Sequence, residues 1–126
     1  MSTGEPAPSL PRNFLRPCVL LLLRESPAHG YDLLERAKVF GFTRHDPGGL
    51  YRMLRILEEE ELVRSAWEPS PQGPDRRIYE ITRKGAERLH DEARGLGLTA
   101  EILERFVSRY SEFVALSPGR ERAAQR

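Results

Sequence analysis

The sequence contains little cysteine and no long apolar run, and each shortage excludes a class of protein. Its single cysteine, Cys18, cannot form a disulfide within the chain and lies in an apolar stretch, where cysteine usually behaves as a small buried hydrophobe. The longest apolar run, from Cys18 to Leu23, is far shorter than the ~18 to 20 residues that span a membrane. The first residues lack the cationic start and apolar centre of a signal peptide. We therefore expect a cytoplasmic protein that does not enter a membrane.

The sequence also lacks an excess of one charge. Lys and Arg total 20 and Asp and Glu total 19, so the formal net charge of +1 provides no overall basic field that would attract nucleic acid. A length of 126 residues is enough for one domain with a hydrophobic core, but not for a separate ligand-binding domain. The positions of the charges, and not their sum, must therefore indicate the partner.

Catalytic and metal-binding patterns are missing as well. The histidines His29, His45 and His90 share no metal-ligand spacing with one another or with Cys18. The sequence contains no nucleophile paired with a base and no glycine-rich phosphate loop. We therefore expect no metal, no cofactor and no enzymatic activity.

What the sequence does contain is an ordered series of amphipathic segments. Residues 1–12 are rich in Pro and small polar residues, which is typical of a flexible arm. Apolar residues at helical spacing then predict three helices, and two β-rich segments around a Pro- and Gly-rich turn predict a hairpin. This mainly helical α+β order is typical of a winged helix-turn-helix. The predicted helices cover about 13–25, 29–40 and 46–60, and the predicted strands cover 62–68 and 77–82.

Single residues mark several boundaries of these elements. Gly41 is a stop signal for the second helix, and Asp46 followed by Pro47 is a start signal for the third. Thr82 can cap a fourth helix. Trp67 is expected to pack the hairpin against the helices, because a half-buried strand often carries a tryptophan.

The fourth helix carries an apolar seam. Leu89, Leu96, Leu103 and Tyr110 recur every seven residues, as in a coiled coil. Such a seam exposes more apolar surface than a small domain can cover, so a dimer is expected. Gly95 and Gly97 lower helix propensity and leave a bend or break before Thr99 open. The tail 117–126 is expected to fray. The predicted interface consists of Leu89, Ala93, Leu96, Leu103, Phe106, Val107 and Tyr110.

The third helix has the pattern of a recognition helix. Its core face is Leu50, Met53, Leu54 and Leu57, and the opposite face carries Tyr51, Arg52 and Arg55 near the N-terminal end. That end of a recognition helix enters the major groove and presents side chains to base edges and phosphates. Gly48 and Gly49 would let the helix start approach a phosphate closely. Taken alone, the same face could be an ordinary solvated surface with two arginines.

The hairpin adds a second basic element. Arg76 and Arg77 directly follow the turn, where a wing meets the DNA backbone or minor groove, and Arg64 lies on the partner strand. The acidic run from Glu58 to Glu61 ends the third helix and fits the end that lies outside the groove. The charge pattern thus favours DNA contact by the first half of this helix and by the wing.

Several stretches together closely resemble the PadR family of transcriptional regulators. The resemblance implies a winged-helix domain over 13–85, a dimerisation helix over 86–116 and usually repression, and the short chain is similar to the branch with one terminal helix. His29 and Tyr31 become candidate phosphate contacts, although His29 could instead cap the second helix. The stretches are His29 to Leu34, Asp46 to Tyr51, Leu57 to Val63, Gly73 to Tyr79 and Thr82 to Gly85.

The sequence differs from the family pattern at two positions and is similar to one subgroup of the family. The family commonly has Thr at the position of Gly49 and Gly at the position of Glu61, so a DNA-contacting hydroxyl is missing and the third helix is expected to end in a different cap. The segments from Asn13 to Cys18 and from Pro27 to Tyr31 are similar to a subgroup of polyhydroxybutyrate-responsive repressors. A small-molecule or polymer effector is therefore a candidate partner.

Three classes of function follow from these patterns. The first is a repressor that binds double-stranded DNA of roughly palindromic sequence as a homodimer. The second is a winged helix that binds proteins or polyester granules without reading DNA, which the modest net charge and the apolar terminal helix would allow. The third, an enzyme, has no supporting residues.

Overall fold

The computed structural model describes residues 6–43 and 46–116, so His45 and the predicted tail 117–126 lie outside the described residues. The fold is mainly helical with a small antiparallel sheet, as predicted. No helix in the described part of the chain is long and apolar enough to cross a membrane. The elements are α1 (Leu15–Glu25), β1 (Ala28–His29), α2 (Gly30–Arg36) with a 3₁₀ turn (Ala37–Phe40), α3 (Pro47–Glu59), β2 (Val63–Glu68), β3 (Arg76–Ile81) and α4 (Arg83–Leu116).

One hydrophobic core holds the helices and the sheet together. The core face predicted for α3 is correct, because Leu50, Leu54 and Leu57 are buried and Met53 packs against them. α1 contributes the largest share, as expected for a helix that is apolar nearly all round. Cys18 is buried in α1 among apolar neighbours, as predicted. Burial raises the pKa of its thiol to about 11, so the reactive thiolate is scarce near neutral pH.

The sheet has a third strand that the sequence did not indicate. β1 pairs with β3 through Ala28 opposite Tyr79 and His29 opposite Ile78, which gives the order β1-β3-β2. The second helix, predicted to start at about His29, starts one residue later at Gly30, and the strand before it was not predicted. A two-residue strand is too short to show the alternation that identifies strands in a sequence.

The second predicted helix also divides in two. α2 ends at Arg36 and a tighter 3₁₀ turn continues to Phe40. Gly41 then stops the helix in the left-handed conformation, with φ 95°, as the sequence predicted. The start of α3 is also as predicted, since the Asp46 carboxylate accepts a hydrogen bond from Gly49 N at 3.0 Å.

The end of α3 keeps the geometry of a glycine cap without the glycine. Glu61 adopts the left-handed conformation with φ 62°, so the expectation of a different cap was wrong. Glu61 N donates to Glu58 O at 3.0 Å, and Leu62 N donates to Leu57 O at 2.9 Å. These are the two bonds of a Schellman motif, and the buried pair Leu57 and Leu62 supplies its hydrophobic contact. Tertiary packing thus overrides the local preference at Glu61.

Thr82 joins this turn to the start of α4. Its hydroxyl accepts a hydrogen bond from Gly85 N at 3.0 Å, which is the predicted cap, and donates to Glu61 O at 2.7 Å. Thr82 N donates to Leu62 O. Gly85 packs so closely on the Leu62 carbonyl that a β-carbon there would overlap the carbonyl oxygen.

Glu60 forms an ion-pair cluster at the same place. Its carboxylate accepts two hydrogen bonds from Arg16 of α1, at 2.6 and 3.2 Å, and lies 3.8 Å from Arg88 of α4. Lys84 donates to the Glu60 carbonyl at 3.2 Å. The hydrogen bonds from Arg16, supported by the positive charges of Arg16, Arg88 and Lys84, lower the pKa of Glu60.

α4 is a continuous helix from Arg83 to Leu116, so Gly95 and Gly97 do not break it. By its contacts the chain forms two compact units, one up to Asp91 and one from Glu92 onward. The domain boundaries given above, 13–85 and 86–116, stay predictions. Leu89 packs partly against the core of the first unit.

We predict that Glu61→Gly stabilises the protein. The substitution removes a left-handed side-chain penalty of roughly 1 to 2 kcal/mol, partly offset by the greater freedom of glycine in the unfolded chain, so we expect a net gain of about 0.5 to 1 kcal/mol. Unfolding in urea, monitored by circular dichroism, measures this change in the free energy of unfolding. Glu59→Gly, two residues earlier at the last residue of α3, is the matched control and should destabilise by up to about 1 kcal/mol. A loss of stability in Glu61→Gly would contradict the strained cap.

We also predict that Glu60 contributes to the pH dependence of stability. Because its pKa in the folded protein lies below its ordinary value of 4.5, its contribution is fully present above pH 4.5 and is lost as the pH falls through the lowered pKa. Glu60→Gln should therefore reduce the loss of unfolding free energy on acidification. Glu59→Gln is the exposed control. Equal acid dependence in wild type and Glu60→Gln would contradict the role assigned to the Arg16 pair.

Candidate nucleic-acid interface

The side of α3 opposite the core presents an exposed polar face. Tyr51, Arg52 and Arg55 are all exposed, on the side of the helix away from the buried leucines. Within residues 6–43 and 46–116, neither Arg52 nor Arg55 has an acidic partner, whereas most other arginines of the first unit do. These two guanidinium groups are therefore available to a phosphate or a guanine.

The two glycines at the start of α3 have different surroundings. A β-carbon at Gly48 would lie 3.3 Å from Arg52 Nη1, so the absence of a side chain leaves room for that guanidinium. A β-carbon at Gly49 would overlap the Asp46 carboxylate. A larger residue at this position would therefore require the Asp46 carboxylate to move. Because Asp46 accepts from Gly49 N, that N–H is not free for a phosphate, contrary to the reason given for Gly49 above.

α2 supports the exposed face of α3 through Gly30. A β-carbon at Gly30 would lie 2.5 Å from Tyr51 Cε1, so only glycine lets the Tyr51 ring lie against the start of α2. Tyr31 is 64% exposed and lies next to this contact in the sequence. Gly30 thus positions Tyr51, a role that the sequence did not reveal because it depends on the approach of two helices.

His29 occupies the N-cap position of α2 but does not cap the helix through its side chain. Its side chain makes no cap hydrogen bond; instead Nε2 lies 3.2 Å from Glu68 Oε1 and Nδ1 lies 3.5 Å from Asp32 Oδ2. The imidazole therefore links β1 and α2 to the wing strand β2. With two carboxylates beside it, His29 is a weaker candidate for a phosphate contact than Tyr31, and both assignments stay predictions.

The arginines of the wing are paired with acids of their own chain. Arg64 pairs with Glu80 across the two strands, and Arg76 Nη2 lies 3.9 Å from Glu68 Oε1. Arg77 donates from Nε to Ser65 Oγ at 2.8 Å and approaches Glu58 Oε1 at 3.6 Å. The wing thus presents partly neutralised charge, and contact of Arg76 and Arg77 with DNA stays a prediction.

Trp67 does not pack the hairpin into the core. Its side chain is 65% exposed, and its ring contacts the Arg77 guanidinium at 5.6 Å from the centroid. The expectation of a buried Trp67 was therefore wrong. The buried aromatic of the sheet is Tyr79, whose pKa is raised mainly by burial.

The apolar seam of α4 is exposed within the single chain. Leu103, Phe106, Val107 and Tyr110 are between 48% and 71% exposed. Ala93 is exposed and Leu96 is half-buried. Their assignment to a dimer interface stays a prediction. Among the described residues no group of histidine, cysteine and acidic side chains could hold a metal ion.

A helical core, an antiparallel sheet and an exposed basic helix define a winged helix-turn-helix, the fold of many DNA-binding proteins. The model of the transcriptional regulator PadR-like family matches residues 19–91, which is more than half of the chain. The chain therefore belongs to the PadR-like family of transcriptional regulators. The prediction of a regulator rather than an enzyme is confirmed by this family, whereas the polyhydroxybutyrate subgroup stays a prediction.

Solved structures of the family share the fold. A PadR-like regulator from Bacillus cereus is 28% identical, with a TM-score of 0.66 over 74% of this chain and 90% of that one. A conserved protein described as a potential transcriptional factor is 31% identical, with a TM-score of 0.66 over 84% and 98%. Bacillus subtilis PadR in complex with operator DNA is 25% identical, with a TM-score of 0.59 over 66% and 48%. No curated protein matches the chain.

We predict that Arg52→Ala and Arg55→Ala weaken binding to a DNA duplex that the wild-type protein selects from a random pool. The loss should be ~1 to 3 kcal/mol where the arginine reads a guanine, and smaller where it contacts a phosphate. Fluorescence anisotropy measures the affinities, and circular dichroism checks the fold. Arg94→Ala, outside α3, is the control. Unchanged affinity in both α3 variants would refute the recognition-helix assignment.

Proposed function

We propose that this protein is a transcriptional repressor that binds a roughly palindromic operator as a homodimer. The observation that carries the proposal is the exposed face of α3, where Arg52 and Arg55 have no acidic partner among the described residues. The operator complex of the Bacillus subtilis relative supports it, because that chain shares the winged-helix fold. Repression is the usual mode that the family resemblance implies.

The dimer follows from the apolar face of α4. Leu103 is 57% and Phe106 is 71% exposed in the single chain, and burying such side chains contributes about 1.5 to 3 kcal/mol each. A second copy is the partner that covers the same face on both chains at once. Two-fold pairing would present two α3 helices about 34 Å apart, one turn of DNA, and would therefore require a roughly palindromic site.

Occupation of an operator in the cytoplasm would block polymerase from overlapping DNA, and release would need an effector. The similarity of the segments from Asn13 to Cys18 and from Pro27 to Tyr31 to polyhydroxybutyrate-responsive repressors suggests a hydroxyacid polymer or its oligomers as the first candidate. Binding of the selected duplex with and without polyhydroxybutyrate granules tests this choice. Equal DNA binding in both conditions would exclude the polymer as effector.

The test of the main proposal is selection from random-sequence duplexes followed by a salt titration. A specific regulator should enrich one roughly palindromic sequence, and its affinity should fall steeply with salt because bound arginines release counterions from DNA. Binding to polyester granules or proteins without enrichment of any DNA sequence would instead favour the alternative, a winged helix that does not read DNA.

We predict that Leu103→Glu disrupts the dimer and weakens operator binding. The carboxylate would lie in the apolar seam, where an unpaired buried charge costs several kcal/mol. Sedimentation equilibrium at micromolar concentration measures the oligomeric state. Ser108→Glu, on the polar side of α4, adds the same side chain and should stay dimeric. A monomeric wild type, or full operator affinity in monomeric Leu103→Glu, would contradict the dimer.

A further inference from the structure

Arg77 lies in a cluster of side chains that joins the sheet to α3. Its Nε donates to Ser65 Oγ at 2.8 Å, and the same hydroxyl donates to Glu58 Oε2 at 2.6 Å. Arg77 Nη2 lies 3.6 Å from Glu58 Oε1. The guanidinium therefore reaches the acidic end of α3 both directly and through one hydroxyl. No other arginine of the wing contacts α3 among the interactions of the described residues.

Two aromatic rings of the sheet, Trp67 and Tyr79, also contact the Arg77 guanidinium. Its central carbon lies 5.6 Å from the Trp67 ring centroid and 6.0 Å from that of Tyr79. Ser65 pairs with Tyr79 and Trp67 pairs with Arg77 across the two strands, so all four side chains share one face of the sheet. A planar guanidinium suits this place because it can stack on rings and donate in fixed directions, which an ammonium cannot.

Arg76 has none of these contacts. It lies on the opposite face of β3, its side chain is 61% exposed, and its carboxylate neighbour Glu68 is 3.9 Å away. Two adjacent arginines of identical charge therefore have different surroundings. Arg76 is available to a phosphate, whereas Arg77, 45% exposed, directs Nε and Nη2 at side chains of its own chain.

We propose that Arg77 is a positioning residue that fixes the rotation of the recognition helix, rather than a DNA contact of the wing. Glu58 lies three residues after Arg55, so the two side chains occupy neighbouring positions on one side of α3. Holding Glu58 against Ser65 and Arg77 fixes the direction in which Arg55 leaves the helix. The expected effect on DNA affinity rests on the proposed function. The contacts of Arg77 with Glu58 and Ser65, here called the clamp, do not.

The direction in which Glu58→Gln changes DNA affinity distinguishes a positioning role of Arg77 from direct contact with DNA. Glu58→Gln removes a negative charge near DNA, and it also releases Arg77 from an ion pair. If Arg77 contacts DNA directly, both effects strengthen binding. If Arg77 positions α3, the selected duplex binds more weakly, while a shuffled duplex of the same composition binds as well as before or better.

The experiment compares Glu58→Gln with Glu59→Gln and Arg77→Lys with Arg76→Lys. Each pair makes the same change at adjacent residues, and the lysine variants keep the charge. We expect Glu58→Gln and Arg77→Lys to weaken binding of the selected duplex on the order of tenfold, with the shuffled duplex and the salt slope unchanged. The two controls should change it by less than about twofold. Tighter binding by Glu58→Gln, or a lower salt slope in Arg77→Gln, would overturn the proposal.

A measurement without DNA keeps the clamp testable if the protein selects no sequence. Amide hydrogen exchange in β2, β3 and the end of α3 should quicken in Glu58→Gln and Arg77→Lys but not in their controls, and the fluorescence of Trp67, the single tryptophan, should change in the same two variants. Exchange and fluorescence equal to those of the controls would overturn the clamp. Failure of the wild type to enrich any duplex would instead overturn the proposed function.

Discussion

The rest of the structure depends on the turn that ends α3. Leu62 lies at the centre of this turn, since its N–H closes the helix on Leu57 and its carbonyl accepts from Thr82 N. The Thr82 hydroxyl binds the Glu61 carbonyl and caps α4, and Gly85 fits only because it has no side chain against Leu62. The end of α3, the strands β2 and β3 and the start of α4 therefore meet within a few residues of this turn. The left-handed backbone at Glu61 is the local cost of that junction.

The acidic run explains how a chain with almost no net charge can present a basic surface. Glu58 contacts Arg77 and Ser65, and Glu60 contacts Arg16 and Arg88, so these acids pair with arginines of other elements at the C-terminal end of α3. On the wing, Glu68 and Glu80 do the same for Arg76 and Arg64. Arg52 and Arg55 on α3 have no acidic partner among the described residues.

Local signals in the sequence were sufficient for much of the fold. The Asp46 cap, the Gly41 stop, the Thr82 cap and the core face of α3 depend on spacing within one or two helical turns, and the structure has all of them. Features that depend on which segments meet in space could not be predicted in this way. β1 forms because Ala28 pairs with Tyr79 of β3, which is distant in the sequence. The partners of Arg77 likewise depend on the register in which β2 pairs with β3. The positive φ of Glu61 likewise results from packing on both sides of the turn.

The claim that the exposed face of α3 reads the major groove is tested most directly by chemical protection of the selected duplex. Dimethyl sulfate methylates guanine N7, which lies in the major groove, where arginine binds guanine. We predict two clusters of protected guanines, about one helical turn apart on one face of the duplex, and loss of protection at specific guanines in Arg55→Ala. Unprotected guanines in a saturated complex, or a pattern unchanged in Arg55→Ala, would contradict it.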